Sequence, residues 1–124
     1  MRLIKAAVVI VSCLLLLGAC AFAGQNSMGI SDSYRLTFSE RVRVADTLLP
    51  AGDYQIQHVM EGADHIMVFR QLGVKNPVEV RAKCTLEALA EPVNQTQKIF
   101  ELNGANERVL KVLLFKGDHA KHVF

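Results

Sequence analysis

Along most of the chain, hydrophobic and polar residues alternate in short runs, and clusters of turn-forming residues separate one run from the next. That rhythm, with breaks about every 8–12 residues, predicts an all-β domain. Tyr34-Arg35-Leu36-Thr37-Phe38 alternates cleanly and suits a half-buried strand. Arg41-Val42-Arg43-Val44 alternates as well, with both arginines turned to water. Thr47-Leu48-Leu49 and Tyr54–Val59 flank Leu49-Pro50-Ala51-Gly52, where proline second and glycine fourth predict a type I turn. Glu61-Gly62-Ala63-Asp64 then leads into His65–Leu72 as a hairpin, and Gly73–Pro77 forms the next break.

The strongest alternation covers 78–86. Val78, Val80, Ala82, Cys84 and Leu86 fall on one face, and Glu79, Arg81, Lys83 and Thr85 on the other. Residues 84–91 are also good helix formers, so a helical turn stopped by Pro92 is the alternative there. Lys98–Leu102 and Glu107–Phe115 bracket Asn103-Gly104-Ala105-Asn106, a further hairpin signal. Val109–Phe115 is apolar on both faces except at Lys111, which predicts a central strand. His122-Val123-Phe124 adds a last short strand. The expected architecture is a single-domain antiparallel β-sandwich or small partly open β-barrel of about seven or eight strands.

The N-terminus breaks this pattern. Arg2 and Lys5 precede an apolar run from Ala6 to Leu17, and small residues follow. Residues 1–23 therefore read as a helical signal peptide, and a spanning helix would need about 20 apolar residues. Ala21-Phe22-Ala23 supplies a cleavage site, which would start the mature chain at Gly24. Leu17-Gly18-Ala19-Cys20 resembles a bacterial lipobox, so lipidation at Cys20 after a leader of 1–19 is the competing reading. Either way the protein is exported, periplasmic or secreted, and meets the membrane only through its signal or a lipid anchor. Residues 24–33 (GQNSMGISDS) form a polar, flexible lead-in, and 34–124 the β-domain.

Charge sharpens this picture. Fourteen Lys and Arg against twelve Asp and Glu give +2, but Arg2 and Lys5 belong to the leader. The remainder is neutral and has no basic run, which argues against nucleic acid as a partner. Beyond the leader Cys84 is the sole cysteine, which excludes an internal disulfide framework or a zinc site built on cysteines alone.

Leu49-Pro50-Ala51-Gly52-Asp53-Tyr54, following a leader and an alternating strand, resembles an element of small exported bacterial all-β proteins of unknown function that share L-P-A-G-x-Y. The resemblance implies an exported β-domain. It carries no catalytic residue over to this chain.

No G-x-S-x-G, P-loop or G-x-G-x-x-G occurs. Tryptophan is absent, and the aromatics beyond the leader occupy strand positions that a core would claim, which weighs against a carbohydrate platform. Cys84 shares its face with apolar residues and is expected to be an inert core thiol with a raised pKa. His58 and His65 flank a turn and could face each other. His119 and His122 lie three apart, which on a strand sends them to opposite faces. The sequence thus favours a non-enzymatic exported β-domain with no cofactor or metal, binding or supporting a partner in the envelope or outside the cell. The alternative is a small metal-binding protein or hydrolase using His58, His65, His119 and His122.

Overall fold

The computed structural model describes residues 29–124. The leader, Cys20 and the first residues of the lead-in lie outside them. Nine strands form among the described residues: β1 (Ser33–Phe38), β2 (Val42–Val44), β3 (Thr47–Leu49), β4 (Gly52–Glu61), β5 (Asp64–Gln71), β6 (Glu79–Ala88), β7 (Gln97–Leu102), β8 (Arg108–Leu114) and β9 (Ala120–Val123). They make one sheet in the order β1-β4-β5-β6-β9-β8-β2-β3, with β7 also paired to β8. The sheet does not close on itself.

Two features depart from the sequence expectation. There are nine strands rather than seven or eight, because even the short β2, β3 and β9 find partners. The sheet is mixed rather than antiparallel, since β2 runs parallel to β8 (Val42↔Arg108, Arg43↔Val109). The two are separated in the chain by β3 to β7, and a connection that long leaves the direction of pairing open, whereas a tight hairpin enforces antiparallel strands.

β6 joins the two parts of the sheet. Glu79–Cys84 pair with β5, and Thr85–Ala88 pair with β9. That second pairing keeps 85–88 extended, so the helical turn open to residues 84–91 does not form. Leu36, Phe38, Tyr54, Ile56, Met67, Phe69, Ala82 and Cys84 from one part meet Val42, Val44, Leu49, Leu110 and Leu113 from the other in one buried cluster. Burial of each large side chain there is worth roughly 1.5–3 kcal/mol.

The unusual pattern of β8 has a local cause. Ile99 pairs with Val112 and Phe100 with Leu110, so the register skips Lys111. A bulge at that residue shifts the side-chain phase. Leu110 and Leu113, an odd number of residues apart, consequently both reach the core. The Lys111 carbonyl is not wasted: it accepts a hydrogen bond from the Phe124 amide at 2.9 Å.

The Leu-Pro-Ala-Gly element links β3 to β4. Gly52 has φ of +146°, a conformation that side chains disfavour, and this suits glycine. Tyr54, fully buried, donates from its hydroxyl to the Pro50 carbonyl at 2.6 Å and so pins the turn to the strand that leaves it.

The turn between β7 and β8 is fastened to β2 by a charged clasp. Arg43 donates from Nε and Nη2 to the two oxygens of Glu107 at 2.9 and 2.8 Å. Asn103 donates to Glu107 Oε1 at 2.9 Å. These bonds hold the Glu107 carboxyl down to about 2. A carboxyl whose folded pKa is depressed contributes stability above its ordinary pKa of 4.5, and loses it as pH falls towards 2. In urea unfolding followed from pH 6 to pH 2.5, Glu107→Gln should therefore remove part of the acid-side decline in midpoint. A variant profile parallel to wild type across that range would show that the clasp contributes nothing.

Candidate metal centre

The inward face of the sheet is apolar along most of its length and becomes polar at one end. On β4 the buried residues Tyr54 and Ile56 are followed at the same spacing by His58. On β5 the inward set is Phe69, Met67 and His65, and on β6 it is Ala82 and Cys84. Strand register then sets these side chains beside one another. His58 lies opposite Met67, His65 opposite Met60 on β4 and opposite Cys84 on β6, and Leu86 opposite His122 on β9. Four strands thus bring three histidines and one cysteine to a single place.

His65 Nδ1 lies 3.1 Å from His58 Nε2, a hydrogen bond between the rings. Cys84 Sγ is 3.9 Å from His122 Nδ1. One donor atom from each of His58, Cys84 and His122 falls within 4.8 Å of the others. Two nitrogens on one tetrahedral zinc stand about 3.3 Å apart, and a sulfur about 3.6 Å from a nitrogen, given usual bond lengths. The separations here are of that order, so a small inward adjustment would seat an ion. His122 is wholly buried, and His58 and Cys84 are 7% and 8% exposed. Among the described residues, His122 Nε2 is the one buried side-chain polar atom without a hydrogen-bond partner.

The electrostatics follow from burial. His122 is pushed down to about 4, first by desolvation and then by His58 and His65. His58 is lowered by burial and by His65, partly opposed by Asp32. Both imidazoles are therefore neutral at neutral pH, the form that binds metals. Burial raises the Cys84 thiol to about 11, so it keeps its proton until a cation displaces it.

Around the cluster lies an apolar wall. Phe115 meets the His122 ring edge-on with centroids 5.6 Å apart, and Tyr34 stacks on Phe115. The Tyr34 hydroxyl donates to Asp118, a carboxyl only 2% exposed, and accepts from the Ser31 amide at 3.0 Å. Burial raises Asp118, and both burial and that carboxylate raise Tyr34. Residues 29–32 run across this end: the His119 amide donates to Gly29 O and the His58 amide to Asp32 O, at 3.0 and 2.8 Å. Gly29 packs so closely on the His119 ring that an added Cβ would lie 2.7 Å from it. On the other flank a cavity of about 210 Å³, lined by His65, Cys84, Asp64, Lys83 and Phe124 among others, reaches the cluster from outside.

Of the histidines singled out in the sequence, His58, His65 and His122 converge, while His119 is exposed and its role is to receive Gly29. Leu49, Pro50, Ala51, Gly52 and Tyr54 form the turn described above and no site. Cys20 is outside the described residues. The alternation of β6 by itself places Cys84 in the core; its neighbours on β5 and β9 bring histidines beside it. No protein-family model, curated protein or solved structure matches the chain.

Tyr34→Phe deletes the hydroxyl but keeps the ring. It removes the hydroxyl donor from the buried Asp118, which keeps its backbone contact with Ser31, and should cost about 1–3 kcal/mol in unfolding free energy. An unchanged denaturation midpoint would mean that this wall does not depend on the hydroxyl.

Proposed function

We propose that this chain is an exported, non-enzymatic β-domain that binds a transition metal ion through His58, Cys84 and His122. His65 acts as a positioning residue, holding His58 by the ring-to-ring hydrogen bond. The carrying observation is the convergence of the three buried donors within 4.8 Å, with His122 Nε2 left unpartnered. A buried polar atom without a partner is costly, and a centre of coordinating groups gives a reason for that cost. Outer partners of ligating histidines fix their rings, which is the role given to His65. Export rests on the leader pattern of residues 1–23, whichever processing, at Gly24 or Cys20, takes place. We read the sheet as a partly open barrel rather than a two-layer sandwich, since β6 runs unbroken through both parts. The partner that delivers or receives the metal lies in the envelope or outside the cell, and nucleic acid is not part of the reading.

The test is direct. Purified full-length protein, incubated with excess zinc or copper and then desalted, should retain one ion per chain by elemental analysis. Cys84→Ala and His122→Leu should abolish retention, whereas His119→Ala should leave it intact. His65→Gln should weaken affinity about 10–100-fold while leaving the thermal midpoint of the metal-free protein unchanged. Wild-type protein that retains no metal would sink the reading.

A further inference from the structure

We infer that the ion suited to this centre is monovalent copper, an inference that rests on the metal reading above. The first consideration is charge. One thiolate brings one negative charge, and no carboxylate belongs to the converging group. The nearby acids are engaged or remote from the interior: Asp118 is bonded to Tyr34, Asp64 is exposed and paired with Lys83 at 3.3 Å, and Asp32 is exposed. A divalent ion on Cys84 would leave a net positive charge in a pocket lined by Phe115 and Tyr34, and a buried uncompensated charge is strongly disfavoured. A monovalent ion on the same thiolate leaves none.

Donor number points the same way. Three donors converge, and His65 is spent on His58. Structural zinc almost always takes four protein ligands, while two histidines and a cysteine in a trigonal set are a copper environment. One buried neighbour is soft as well. Met67, fully buried, is the register partner of His58 on β5, while Met60, the partner of His65, is exposed. A thiolate suits copper(I) and zinc alike, so charge and donor number decide between the two.

Loading is a ligand exchange and involves no electron transfer. Copper(I) leaves its delivering ligand, the Cys84 thiol gives its proton to solvent, and a sulfur–copper bond forms. Both copper and sulfur keep their oxidation states.

The experiment titrates the full chain, anaerobically, with copper(I) supplied as its acetonitrile complex, and separately with zinc. Copper(I) should bind one per chain, stay bound against a hundredfold excess of zinc, and show one sulfur and two nitrogen neighbours by X-ray absorption at the copper edge. Cys84→Ala should weaken copper(I) binding by at least a thousandfold. X-ray absorption on the wild-type complex keeps the test decisive even where that variant misfolds. One zinc per chain that copper(I) cannot displace would overturn the copper inference and leave the metal reading standing, whereas a copper shell without sulfur would overturn both, since each makes Cys84 a ligand. Failure of both ions to bind would overturn the two together.

Discussion

β6 hydrogen-bonds to β5 through its first six residues and to β9 through its last four, so the sheet turns a corner without a break in the strand. Everything else follows from that exchange of partners. Because Cys84 is the last residue facing β5 and Leu86 faces β9, the side chains of β5 and β9 are brought to one another across a single step of β6. An isolated hairpin could not do this, since its two strands never reach a third neighbour at right register. The core obeys the same constraint: residues from β1, β4 and β5 bury themselves against residues from β2, β3 and β8 because β6 holds both groups to one face.

The strands were largely legible because their signals are local. Alternation at 34–38, 54–59 and 78–86, and turn chemistry at Pro50-Ala51-Gly52, operate within a few residues and need no knowledge of the fold. What could not be read was long-range register. The parallel pairing of β2 with β8 leaves no local mark, and neither does the skipped residue in β8, which looked like a strand apolar on both sides. The candidate metal centre is partly visible in the sequence. His58 and His65 flank the 61–64 turn, and the inward parity of Cys84 is plain. That Cys84 lies opposite His65 and near His122 depends on pairings β5–β6 and β6–β9, and no spacing within the chain encodes these. Counting cysteines and measuring the gap from His119 to His122 looked along the sequence for a site that is built across it.

The histidine–cysteine cluster is a weak place in the fold. His122 is held neutral inside an apolar wall with one nitrogen unsatisfied, which costs about 1–3 kcal/mol. Cys84 is held as a thiol beside it. A core made only for stability would place leucine or valine at these positions. The tension falls on a few residues at one end of a well-packed interior, while Phe38, Tyr54, Phe69 and Leu113 keep the other end closed. Local rules tend to be broken where a protein does its work, with the cost carried by packing elsewhere.

The bulge at Lys111 makes the backbone of that residue, rather than its side chain, the part that matters. Its ammonium pairs with Glu101 at 3.9 Å on an exposed surface, so exchanging the side chain disturbs little. Losing the residue is another matter. A single-codon deletion there would leave Leu110 and Leu113 two residues apart, still on one face of a regular strand, but would remove the carbonyl that anchors Phe124. The cost of such a deletion would therefore fall on the C-terminal residue and not on the core of β8, a consequence set by the backbone and invisible in the chemistry of the side chain.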